Sequence, residues 1–173
     1  LSAERPALLV LGVGNILLRD EGVGVRVARE VAALGPDAVP PGTRIVDGGT
    51  LGLDLLPMIE DAAGVVMVDA VDLRIRGGAV AVLRGSELHA ALAQHVSPHQ
   101  VGVGDLLGAA RLAGALPAHV SLVAIQPERI EVGMELTPAV EAVVTDAVEL
   151  VVRELREIVA AREDPSVRGT VAG

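Results

Sequence analysis

The sequence predicts an α/β fold of three layers, in which a mainly parallel twisted sheet of about five strands is covered by helices on both faces. Three observations carry that expectation. The strand-length runs Ala7–Gly12, Gly64–Asp69 and His119–Ile125 are apolar almost throughout, as strands buried on both faces must be. Segments with helical spacing of their apolar residues separate the runs. The 173 residues suffice for one domain, expected to have an ordered core over 6–162 and short flexible tails.

Ala7–Gly12 is the first predicted strand. Asp20–Leu34 follows as a helix, with Val23, Val27, Val31 and Leu34 near one face and Asp20 placed as N-cap. Thr43–Val46 reads as a strand, Leu51–Asp61 as a helix and Gly64–Asp69 as the next strand. No crossover helix fits between Asp69 and the short apolar run Ala79–Leu83, which is therefore expected as an antiparallel edge strand. Glu87–Gln94 is a short helix, Val101–Gly114 a clearer one, His119–Ile125 a strand and Thr137–Ala161 a long closing helix. Ligands of such sheets sit at the carboxyl ends of the strands. Those ends run into Gly12, Gly14 and Asn15, into Asp47, Gly48, Gly49 and Thr50, into Asp69, and into Gln126, Pro127 and Glu128.

Composition excludes several kinds of chemistry. With no Cys there are no disulfides, thiolate nucleophiles or thiolate metal sites. All 14 basic residues are Arg, so Schiff-base catalysis and a P-loop lysine are ruled out. The lack of any Phe, Tyr or Trp removes stacking platforms, and a net charge of −9 repels phosphate backbones; no nucleic-acid partner is expected. Although 51% of residues are hydrophobic, no run approaches the ~18 a membrane helix needs. No secretory signal is evident, so the expected address is the cytoplasm.

Four motifs stand at the predicted rim. GVGNILLRDEGVG, residues 12–24, has Leu17 where a dinucleotide fingerprint wants a third Gly, so a cofactor loop of that kind is not expected. Glu21 there complements the helix dipole, a role compatible with binding a cation; Asn15 is suited to tying the loop by hydrogen bonds. In DGGT, residues 47–50, a tight turn capped by Asp47 and a substrate-facing loop are equally good readings. Asp69 ends an apolar strand, where it either caps the following turn or binds metal; Asp72 lies farther along that turn. In SPHQVGVGDLL, residues 97–107, Ser97, Pro98 and Gln100 read as helix-start signals. They place His99 in a first turn, where the dipole favours the neutral imidazole a metal needs. His95 is cut off from that helix by Pro98, and His89 and His119 read as structural or solvated. Two carboxylates and an imidazole, Glu21, Asp69 and His99, suit Zn, Ni, Fe or Mn without selecting among them.

Taken together and in this order, GVGNILLRDEGVG, DGGT, the strand ending in Asp69–Ala70, SPHQVGVGDLL and IQPE at 125–128 resemble the [NiFe]-hydrogenase maturation endopeptidases, over roughly residues 8–155. LTPAVEAVVTDAVELV is similar to that family's final helix. The resemblance implies an endopeptidase that removes the C-terminal extension of a nickel-loaded hydrogenase large-subunit precursor, cutting after a basic residue. It implies Glu21, Asp69 and His99 as metal-binding and catalytic residues, and Asp47, Gly48, Gly49 and Thr50 as substrate-recognition residues. Nickel is then supplied by the bound precursor, and other divalent metals can replace it in vitro. Two mechanisms stay open: the metal activates the carbonyl or a water, or it serves only as a docking signal while a carboxylate activates the water. Serine catalysis is not expected, since no Ser sits in a nucleophile elbow. The alternative functions are a nickel-checking assembly factor that binds the same precursor without cutting it, and a nucleotide-binding module. The missing aromatics and Lys count against the module.

Overall fold

The computed structural model describes residues 7–94 and 102–163. Five strands, β1 (Leu8–Val13), β2 (Arg44–Gly49), β3 (Gly64–Ala70), β4 (Val80–Arg84) and β5 (Val120–Ile125), form one sheet in the order β2-β1-β3-β5-β4. The pairs β1·β2, β1·β3 and β3·β5 are parallel, while β4 runs antiparallel to β5 at the edge. This is the expected α/β sheet, including the antiparallel edge strand at 80–84.

The central strands β1, β3 and β5 are apolar almost throughout because alternate residues feed two different cores. Val10 of β1, Val66 and Val68 of β3 and Val123 and Ile125 of β5 pack on one face with α1 (Val23–Ala33) and the closing helices. Leu9 and Leu11, Val65 and Met67, and Leu122 and Ala124 face the other side. There they meet α2 (Leu56–Glu60), α3 (Gly85–Gln94) and α4 (Val103–Leu112). Only aliphatic side chains fill both cores, so burial energy comes from many small contacts.

The predicted helices are subdivided at their starts. The segment expected over 20–34 opens with a single tight turn at Arg19–Gly22 before α1, and that over 51–61 with one at Gly52–Leu55 before α2. The closing helix is two pieces, α5 (Pro138–Glu141) and α6 (Val144–Glu163). On α6, Glu154 is buried and receives the Arg84 guanidinium, which ties edge strand β4 to that face. Helix α4 begins at Val103, with Gly102 extended at its N-cap and its N–H donated to Asp105 at 3.2 Å. The start signals at 97–100 lie outside the described residues.

Two glycines bring α1 into direct backbone contact with the sheet. A Cβ on Gly12 would strike the Gly24 carbonyl and lie 2.6 Å from the Ala28 Cβ. A Cβ on Gly24 would strike the carbonyl oxygens of Val13 and Val68, so the helix start is seated over the ends of β1 and β3. Gly24→Ala is therefore expected to lose about 2–3 kcal/mol in urea unfolding, through overpacking against rigid backbone. Gly108→Ala, on an exposed position of α4 with open space around it, is expected to gain about 0.5–1 kcal/mol.

Candidate functional site

Strand order reverses between β1 and β3: the chain leaves β1 through α1 to reach β2 on one side, and β3 lies on the other. The crevice outside the carboxyl ends at such a switch point is where open α/β sheets bind ligands. Glu21 comes to it from the turn after β1, and Asp69 from the last residues of β3.

Asp20, rather than Glu21, fixes the geometry of that turn. Its carboxylate was expected to cap the first helix, but the N-cap of α1 is Gly22, with no side-chain cap. Asp20 is instead fully buried and turned toward the opposite wall of the rim. Oδ2 accepts the N–H groups of Glu128 and Arg129 at 2.9 Å each and the Thr137 hydroxyl at 2.9 Å; Oδ1 accepts the Thr137 N–H at 2.7 Å. Capping lost because these donors, brought by the loop after β5, offer a buried carboxylate far more than one helix end can. Arg19, just before it, takes a left-handed backbone with φ 49°, an uncommon conformation that lets the turn reverse. Asn15 secures the same loop as expected, accepting the Leu17 N–H on its side chain at 3.0 Å and the Leu18 N–H on its carbonyl at 3.0 Å. Gly14 is packed where a Cβ would strike the Glu21 carbonyl.

With its neighbour anchored, Glu21 presents a carboxylate whose Oε2 is buried and has no hydrogen-bond partner among the described residues. Asp69 stands close enough to feel that charge. Its pKa is pushed up from 3.8 to about 8, first by burial and further by Glu21, against the opposing hydrogen bond of the Ala70 backbone. Two adjacent carboxylates with an orphan oxygen fit a divalent cation, which would supply the missing partner and offset the repulsion. Among the described residues no third ligand-type side chain completes a cluster. The expected third ligand, His99, lies outside the described residues. Its segment joins α3 to α4, and both helices pack on the face that carries Met67, the side to which Asp69 belongs by strand alternation.

DGGT lies at the same rim. Asp47 is in register with Gly12, and the Gly14 N–H donates to the Gly49 carbonyl at 2.9 Å. A Cβ on Gly48 would lie 2.8 Å from Leu11 Cδ1, and Gly49 has φ 47°, so both glycines answer to backbone constraints. Thr50 is exposed at the turn. The Asp47 carboxylate does not cap that turn; its Oδ2 accepts Nε and Nη2 of Arg29 at 2.9 and 2.7 Å on the surface.

Three further residues organise the rim; Gln126 and Asp72 were placed near it by the sequence, and Thr137 was not. Gln126 is buried at the end of β5, where its Oε1 accepts the Leu73 N–H at 2.6 Å and its amide donates to Asp72 at 3.3 Å. Asp72 in turn accepts the Arg74 N–H at 3.0 Å, so it shapes the loop after Asp69. Thr137 spends its hydroxyl on Asp20 while starting α5. The available signal was a polar side chain directly after an apolar strand, in IQPE, and a Thr directly before a helix-starting Pro.

Comparison with known proteins gives one consistent answer. The family model described as hydrogenase maturation protease matches residues 25–154. The hydrogenase 2 maturation protease of Escherichia coli is 42% identical over 153 residues, covering 87% of this chain and 91% of that protein. The hydrogenase expression/formation protein HupD of Rhodobacter capsulatus is 40% identical over 151 residues, covering 86% and 71% respectively. Among solved structures, the hydrogenase maturating endopeptidase HybD from E. coli superposes with a TM-score of 0.77 at 38% identity, covering 87% of this chain and 93% of that one.

Two outcomes follow from the geometry. Asp20→Ala strands one buried and two part-buried backbone donors and is expected to cost about 2–4 kcal/mol in chemical denaturation. For Asp69, the folded pKa of about 8 lies above the unfolded value of 3.8, so between those values the folded chain holds a proton the unfolded chain has released. Its contribution to stability is full below pH 3.8 and is lost as pH rises toward about 8. Metal-free protein should accordingly show a falling unfolding free energy across that window, and Asp69→Asn should flatten the fall.

Proposed function

The chain belongs to the hydrogenase maturation protease family, and from that premise we propose that it removes the C-terminal extension of a nickel-loaded [NiFe]-hydrogenase large-subunit precursor. The observation that carries the reading is the pair Glu21 and Asp69 at the switch point, with Glu21 Oε2 buried and unpartnered and Asp69 held well above the usual carboxylate range. Such a pair is costly to a folded chain unless a cation or a proton is part of its work.

In this reading Glu21, Asp69 and His99 take up the nickel that the precursor presents, and other divalent cations can stand in for it in vitro. A metal held there supplies Lewis-acid polarisation of the scissile carbonyl or of a water. The chain's own residues do the rest. Glu21 and Asp69 orient the incoming group from two neighbouring strand ends. A carboxylate of the pair takes the proton of the attacking water as the new C–O bond forms. That proton passes to the leaving nitrogen as the C–N bond breaks. Asp47, Gly48, Gly49 and Thr50 contribute the substrate-facing side of the rim, where Asp47 and Arg29 together offer a charged pair to the docked chain. The cytoplasmic address expected from the sequence goes with this reading.

The direct test is mass spectrometry of the nickel-loaded precursor after incubation with the protein. Loss of one defined C-terminal peptide is expected with wild type, with Glu21→Gln and His99→Ala slower by about 100-fold or more. An intact precursor that still bound the protein would replace this reading by the non-cutting assembly factor. Divalent cations should also raise the unfolding temperature more at pH 8 than at pH 5, because protons compete for the carboxylates; equal shifts at both pH values would remove Asp69 from the metal site.

A further inference from the structure

In the Asn15–Gly22 loop that carries Glu21, and in the segment after β5 bonded to it, large apolar side chains stand in solvent. Ile16 and Leu17 come from that loop and Ile130, Val132 and Met134 from the segment after β5; Leu17 is 56%, Val132 86% and Met134 73% exposed. They form one patch, because the two segments are joined backbone to backbone. The Gly133 N–H donates to the Leu17 carbonyl at 2.9 Å, the Arg19 N–H to the Gly133 carbonyl at 2.8 Å, and Leu18 bridges Gly133. Contiguous apolar surface at this level is uncommon on a protein that works alone. The same junction is anchored from inside by Asp20, so the patch and Glu21 are positioned by one set of bonds.

We infer that this patch is the docking surface for an extended, apolar, neutral-to-basic segment of the precursor adjoining the bond that is cut. The inference rests on the proposed function and adds the chemistry of the segment recognised. Continuity with the cleavage site is the first argument: Leu17 and Glu21 share one loop, four residues apart, and that loop is fixed to the segment after β5 by Asp20 and Gly133. Charge is the second. Glu128, Glu131 and Glu135 flank the patch on exposed positions, and its two cations, Arg19 and Arg129, are both directed to Glu131 at 3.1 and 3.6 Å. An acidic peptide or an anionic lipid surface would meet repulsion there. Size is the third. Five side chains fall well short of the ~20–30 residues per side of a standard subunit interface, but they match a few residues of extended chain. A second copy seated here would also cover the carboxylates.

The test uses the full chain and the nickel-loaded precursor, with a Leu17→Ser/Val132→Ser double variant, a Met134→Ser variant and Leu112→Ser as control. Leu112 is 92% exposed at the end of α4 that leads toward the start of β5, away from the rim. The patch variants should raise KM and the calorimetric Kd for precursor by ~10-fold or more, with kcat and the urea midpoint retained and the control unchanged. Unchanged KM and Kd, or a loss of kcat alone, would overturn the docking role. Sedimentation showing a wild-type dimer that the variants dissolve would overturn it in favour of a second copy. Wild type that neither binds nor cuts the precursor would overturn the proposed function and this inference with it, whereas wild type that cuts while the patch variants bind normally would overturn this inference alone.

Discussion

The Asp20 carboxylate and the four donors that converge on it hold the rim of this molecule together. Two oxygens with no access to solvent accept three backbone N–H groups and one hydroxyl, all from residues more than a hundred positions away in the chain. Each bond is charge-assisted, and the two from Thr137 are fully buried, where such bonds are strongest and where losing one is most costly. Through them the loop after β1, the loop after β5 and the start of α5 become one body. Glu21 follows Asp20 directly and has no comparable freedom to relax.

That rigidity explains how the site tolerates its own electrostatics. A lone buried carboxylate oxygen on Glu21 and a second acid beside it at Asp69 oppose folding; a mobile loop would swing one of them into water. The close seating of α1 at Gly12 and Gly24 prevents that movement on one side, and the Asp20 bonds prevent it on the other. The unfavourable arrangement is thus held at the switch point of the sheet, where the proposed nickel-bearing substrate would relieve it. The apolar patch made by Leu17, Val132 and Met134 hangs on the same anchored junction, so the proposed docking surface and the proposed metal site share one edge.

The sheet was legible because its three central strands are apolar almost throughout, as strands of a doubly covered parallel sheet are, and because the gap before residue 80 leaves no room for a crossover. Glu21 and Asp69 were legible as residues at strand ends, and the Glu21 charge contributes to the raised pKa of Asp69. The role of Asp20 was not. In sequence it has the features of a helix cap, and nothing local reveals donors supplied from residues 128–137. Gln126 was placed at the rim by the sequence, but its partners and those of Thr137 were hidden for the same reason, since they are set by tertiary approach and not by spacing. The pairing of Asp47 with Arg29, 18 residues before it, likewise depends on where α1 lies against β2. His99 lies outside the described residues, so its membership in the site rests on the resemblance and on the face to which its segment connects.

The measurement closest to the central claim is anomalous diffraction at the zinc edge from crystals of this chain soaked in a zinc salt. The account predicts a peak bonded to one carboxylate oxygen of Glu21 and one of Asp69, reduced or lost in Glu21→Gln crystals. Glu21 Oε2 satisfied by a donor of the protein itself, with no peak between the two carboxylates, would contradict it.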